Sequence, residues 1–185
     1  MEFIADLWLP ILLSTFALWI LSFVAWVIAP HHYGDRSKVA DEEGLMKYLS
    51  DAGVGPGNYF FPYAGSAKQQ GDKQYVERYT SGPRGTLNVY DMPNMAVNMG
   101  KTILYFFVTT ATIAYITHVA CPPADAASTF IKVFRIAGTI GVLAYGTSGA
   151  LNRVWFVERM WTHIVDGVIY GVVAGLIFAS MWPGA

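Results

Sequence analysis

The residues of this chain best suited to chemistry lie near its end: His163, Asp166 and Tyr170. On a helix they stand at i, i+3 and i+7, so an imidazole and a phenol lie about one turn either side of a carboxylate. His163 titrates near neutral pH, and Asp166 is placed to accept a hydrogen bond from it. A carboxylate in an otherwise apolar run is costly in lipid unless it is paired, hydrated or used. One reading is a polar spot that carries protons or binds a ligand. The other is a satisfied polar contact, with Asp166 bonded to His163 and to a neighbouring helix, that fixes how helices pack. Carboxylate and histidine pairs also occur in metal-binding bundles, but those take the pair from two helices with further Glu residues. Glu158 is the other carboxylate weighed for that role, which argues against a di-metal centre.

A second set is Met92, Met95 and Met99 with His31 and His32. Thioethers and imidazoles can bind Cu(I); alternatively, the methionines fill irregular gaps where a loop meets the bilayer surface. Bis-histidine haem ligation by His163 with His31 or His32 is a third option. All three histidines lie near the predicted membrane surface, and His118, near the opposite interface, is too far away to join them. There is no Gly-rich phosphate loop, no Ser, His and Asp set in motif context and no paired CxxC. No cofactor is predicted from motifs, with haem or copper as the alternatives.

Composition sets the elements that must position these groups. Of 185 residues, 54% are apolar, 15% aromatic and only 14% charged, against roughly 25% charged in soluble domains. A net charge of −1 without a basic cluster gives no case for nucleic acid. The lone Cys121 closes no disulfide within the chain. Four segments reach the roughly 20 apolar residues that a spanning helix needs: 1–30, with Pro10 in an opening turn and Pro30 closing it; 101–121, ended by Pro122 and Pro123; 128–151, with Ser128 as N-cap; and 160–182, ended by Pro183. The first lacks a basic n-region and exceeds the usual h-region, so it reads as a retained helix and not a signal peptide. Trp161 and Trp182 are 21 residues apart, about 32 Å of helix, which suits a tryptophan at each interface and places Asp166 about 7 to 8 Å inside one of them.

The fourth segment also carries Gly167, Gly171 and Gly175 at four-residue spacing, a face on which another backbone can approach closely. Its predicted partner is the small-residue row Ala137, Gly141, Ala144 and Ser148 of the third segment, or else a helix of another protein. Lys and Arg fall mainly in the long loop 31–100 and in the turn 152–159 (Arg36, Lys38, Lys47, Arg84, Arg153, Arg159), although Lys132 and Arg135 argue the other way. That bias predicts the long loop inside and both termini outside. The loop itself reads as a small α+β element, with a helix over 41–52 and a two-stranded pairing of 58–63 with 86–90. The stretch between the strands reads as polar up to the Gly82-Pro83 turn.

Several runs together resemble an uncharacterised family of small bacterial four-helix membrane proteins. They are Leu7-Trp8-Leu9-Pro10-Ile11-Leu12-Leu13-Ser14, Pro56-Gly57-Asn58-Tyr59-Phe60-Phe61-Pro62, Gly82-Pro83-Arg84-Gly85-Thr86-Leu87, Val133-Phe134-Arg135-Ile136-Ala137-Gly138-Thr139, Asp166-Gly167-Val168-Ile169-Tyr170-Gly171 and Trp182-Pro183. The resemblance covers most of the chain and implies the four-helix fold and a bacterial inner membrane, with no activity, cofactor or catalytic residue attached. The expectation is therefore an all-α membrane protein of four transmembrane helices with a small cytoplasmic α+β element between helices 1 and 2. Its expected role is non-enzymatic: an accessory or assembly subunit packed against other integral membrane subunits or copies of itself. A small transporter, channel or proton-linked module using Asp166 and His163 is the alternative, and a metal or haem binder at the cytoplasmic interface the third.

Overall fold

The computed structural model describes residues 2–123, 125, 127–156 and 158–183. Ala185, the terminus that the charge bias assigns to the outside, lies beyond the described residues. In chain order the elements are α1 (Glu2–Phe23), α2 (Glu42–Asp51), β1 (Gly57–Phe61), α3 (Ala67–Gln70), α4 (Lys73–Ser81), β2 (Gly85–Val89), α5 (Met95–Ala120), α6 (Phe130–Gly146), α7 (Ala150–Trp155) and α8 (Trp161–Ser180). They form two compact units, Met1–Arg36 with Met95–Ala185, and Ser37–Asn94.

The first unit holds four stretches long and apolar enough to cross a bilayer: Phe3–Ile28, Met95–Ala120, Phe130–Trp155 and Trp161–Ser180. Around the bundle α1 packs on α5 and α8, and α6 packs on α5 and α8. Leu7, Leu18, Ile113, Val133 and Phe178 are fully buried between them, whereas Trp8, Phe16, Ile20, Leu104 and Val108 stay exposed. Apolar exposure on this scale is unusual for a monomer in water.

Several boundaries differ from the sequence reading. Pro10 lies inside α1 and not in an opening turn; long apolar helices tolerate such a proline because neighbouring groups re-satisfy the freed carbonyl. The second long helix begins at Met95, six residues before the predicted 101, so Met95 and Met99 sit on its first turns. The N-cap of α6 is Thr129, whose hydroxyl accepts from the Lys132 N–H at 3.4 Å. Ser128 instead donates to the Pro122 carbonyl at 2.9 Å. Helix α6 stops at Gly146, short of the predicted 151, because the chain turns at Gly149, whose φ of +72° suits a residue without Cβ. The tryptophan pair is also unequal. Trp161 is exposed, but Trp182 is buried against Phe178 and not turned outward.

The closest helix pair is α6 with α8, running antiparallel, and glycine meets glycine along it. A Cβ on Gly141 would fall 2.7 Å from the Gly171 Cα, and one on Gly175 would fall 2.9 Å from the Gly138 Cα. A Cβ on Gly167 would collide with the backbone of Gly146. The row on α6 is thus Gly138, Gly141 and Gly146, flanked by the buried Ala137. Ala144 is only half-buried, and Ser148 is exposed beyond the helix end. The predicted row Ala137, Gly141, Ala144 and Ser148 shares only Gly141 with these three glycines and missed Gly138 and Gly146.

Between α1 and α5 the buried hydroxyls of Thr15 and Thr110 lie 2.8 Å apart, and each is also 2.8 Å from the carbonyl one turn back, those of Ile11 and Phe106. Valine at both positions, taken through a double-mutant cycle in detergent, is expected to show a coupling of about 0.6 kcal/mol. Additive melting shifts would mean that the interhelical bond contributes nothing.

In the second unit Asp41 caps α2, its carboxylate accepting from the Gly44 N–H at 2.9 Å. β1 and β2 pair antiparallel from Gly57 opposite Val89 to Phe61 opposite Gly85. The predicted strands 58–63 and 86–90 run slightly too far toward the C-terminus; Pro62 has no N–H for a ladder and ends β1. The stretch read as merely polar contains α3 and α4, capped by Ser66 and Asp72. No residue of α2, α3 or α4 is buried.

Candidate functional site

After α1 the chain widens into a π-helical turn, Val24–Ile28, that ends where the Ala29 N–H donates to the Val24 carbonyl. Ala29 is extended, as the residue before a proline must be. Pro30–His32 then form one 3-10 turn. The Tyr33 N–H donates to the Pro30 carbonyl, and the Asp35 N–H to the His32 carbonyl. The turn brings His31, His32 and Asp35 onto the first turns of α8. π-turns of this kind recur at functional sites.

There the side chains form one hydrogen-bonded chain. Asp166 is 5% exposed. Its Oδ1 lies 2.9 Å from His31 Nε2, and its Oδ2 lies 2.8 Å from His32 Nε2. His32 Nδ1 lies 2.5 Å from Asp35 Oδ2, and Thr162 Oγ1 donates to the same carboxylate at 3.2 Å. Both ring nitrogens of His32 therefore face carboxylate oxygens, and only the imidazolium donates at both. Burial pushes the His32 pKa down, but the bonds to Asp35 and Asp166 outweigh it, and the net shift is upward. For Asp35, burial pushes the pKa up, but the bonds from His32 and Thr162 outweigh it, and the net shift is downward. Trp26 lies flat on His32, with centroids 4.0 Å apart at 8°. The His163 ring sits 5.4 Å from both Trp26 and His32.

Two overlapping groups result, His31, His32 and Asp166, and His32, Asp35 and His163, each with its donor atoms within 4.8 Å of one another. The bond predicted between His163 and Asp166 is not formed; the Asp166 oxygens pair with His31 and His32 instead. Nor does Tyr170 bond Asp166. Its hydroxyl has no partner among the described residues, and its ring packs edge-on against Phe106 and Tyr145. Glu158 pairs with Arg153 at 3.5 Å, so the second carboxylate of the cluster is Asp35. Met95 and Met99 stand with His163 and Asp166 in the wall of one cavity. Met92 belongs to the other unit and is almost fully exposed. His118 lies beside Phe3, toward the far end of α5.

Sequence reasoning missed Asp35, Thr162 and Trp26. The signal for Asp35 was present. His32-x-x-Asp35 repeats the spacing of His163-x-x-Asp166, so the carboxylate and histidine pair does occur on two elements. Comparison with family models, with curated proteins and with solved structures returned no match to this chain. Its class rests on its own architecture: four helices long and apolar enough to span a membrane, with a buried histidine and aspartate cluster at one end.

Proposed function

We propose that this chain is a multi-pass protein of a bacterial inner membrane that holds one divalent first-row transition ion between the turn after α1 and the start of α8. The observation that carries the reading is the gathering of three imidazoles and two carboxylates, from segments more than 120 residues apart, into two donor groups that share His32. Charge supports it. Two carboxylates, neutral imidazoles and a divalent ion sum to zero, whereas the ion-free cluster relies on protonated imidazole, and metal displaces such protons. Imidazole with carboxylate suits Zn2+, Mn2+ or Fe2+.

Elemental analysis of the full chain, purified in mild detergent and reconstituted with each ion in turn, is expected to find about one ion per chain, falling below a tenth of that in His32→Ala and in the conservative Asp35→Asn. Absence of stoichiometric metal from well-folded wild-type protein overturns the proposal. The Lys and Arg bias of the long loop supports a cytoplasmic location for the centre. A cytoplasmic reporter active at the C-terminus reverses that assignment.

An accessory role beside other membrane subunits is the second reading. It is favoured by the apolar side chains that the second unit leaves in the open: Tyr63, Tyr90 and Met92 are 76%, 72% and 97% exposed. A co-purifying partner lost on Tyr63→Ser with Tyr90→Ser supports it, and a protein isolated only as a free monomer removes it.

A further inference from the structure

Within the first unit, beside the cluster, lies a cavity of about 740 Å³, inside the roughly 300–1,000 Å³ range of small-molecule sites. Aromatic rings from all four long helices wall it: Trp19 and Trp26 from the first span, Phe106 from α5, Tyr145 from α6 and Tyr170 from α8. Hydroxyls of Ser, Thr and Tyr residues and the Arg153 guanidinium give the wall its hydrogen-bond donors. Tyr170 is 8% exposed and its hydroxyl has no partner among the described residues. Buried hydroxyls are nearly always bonded, so this one marks a place for a group that the chain does not supply. The Arg153 guanidinium also faces the cavity, its side chain 13% exposed; one nitrogen donates to the Ser148 carbonyl and another pairs loosely with Glu158. Asp166, the carboxylate in the wall, is already committed to His31 and His32.

Aromatic walls with the Tyr170 hydroxyl and the Arg153 guanidinium among the lining groups call for a flat lipid-soluble molecule with hydrogen-bond-accepting carbonyls. We infer that the cavity binds a quinone, with its ring carbonyls accepting from Tyr170 and from Arg153 and the ring set among the aromatic side chains. The inference concerns binding alone and stands apart from the metal reading, so its test runs on chelator-treated protein.

The probe is decylubiquinone, titrated into the full chain in phosphatidylcholine nanodiscs, with tryptophan quenching as the readout, since Trp19 and Trp26 line the cavity. Saturable quenching is expected, with the apparent Kd rising about three- to tenfold in Tyr170→Phe, the loss of one hydrogen bond. Phenylalanine keeps the ring and removes only an unpartnered hydroxyl, so the fold is retained. Arg153→Gln is expected to weaken binding by a similar factor and serves as the second variant. Non-saturating quenching, or affinities unchanged in both variants, overturns the inference. Loss of quinone binding in phosphatidylglycerol nanodiscs also overturns it, by assigning the cavity to an anionic lipid headgroup.

Discussion

Gly167→Ala and Gly171→Ala are expected to be among the most damaging one-carbon changes this chain can suffer. At Gly167 the added Cβ meets the backbone of Gly146, and at Gly171 it meets the backbone of Val142 and of Gly141. Backbone cannot swing aside as the tip of a long side chain can, so α6 and α8 must separate along their whole contact. Overpacking of this kind costs about 1–3 kcal/mol, and here close backbone approach is what holds two helices together without a hydrophobic force between them. Gly100→Ala is the matched control. Gly100 lies within α5, exposed, with nothing within 4 Å of an added Cβ, and the same substitution there is expected to be neutral or stabilising by roughly 0.5–1 kcal/mol. Reversible unfolding in mixed micelles measures both. Equal melting of Gly167→Ala and Gly100→Ala would show that the close approach carries no stability.

The same interface shows what the sequence displays and what it conceals. Apolar runs of spanning length are visible residue by residue, because lipid demands them of every turn. The glycine row on α8 is equally visible, since its residues stand one turn apart on one helix. Its partners Gly138, Gly141 and Gly146 do not keep that spacing. They are selected by where the second helix crosses, a tertiary quantity. The cluster was concealed more thoroughly. Asp166 reads naturally with His163, three residues away, yet its oxygens are claimed by His31 and His32, which lie 135 and 134 residues distant in sequence. The fold of the turn after Pro30 decides this, and no helical periodicity predicts it. The inner helices of the second unit escaped notice for a different reason: α3 and α4 bury nothing, so they lack the apolar stripe by which helices are read. Their capping residues Ser66 and Asp72 were the available sign.

The conflict between these two readings of Asp166 yields the second large effect. A contact made only with His163 would leave a half-buried pair, and its loss would be mild. The observed carboxylate is nearly inaccessible and accepts from two imidazoles, one of them, His32, with a side chain only 3% exposed. Removing it leaves His32 Nε2 buried without its acceptor while Nδ1 keeps Asp35, and breaking a buried ionic contact from one side costs up to about 3–5 kcal/mol. Asp166→Ala is therefore expected to destabilise the ion-free protein by that amount, and to release the turn after α1 from α8. In Asp166→Asn the side-chain shape is kept, but the amide nitrogen is turned toward a donor, so only part of the loss is expected to return. His32→Ala combined with Asp166→Ala is expected to be less damaging than the sum of the two single changes, because both remove the same His32–Asp166 bond. Hydrogen exchange at the amides of Tyr33 and Asp35, which close the turn onto the carbonyls of Pro30 and His32, reports its release directly. If those amides stay as protected in Asp166→Ala as in the wild type, and its melting is unchanged, Asp166 does not anchor the turn. The donor set would then lose the geometric basis on which its metal-binding role stands.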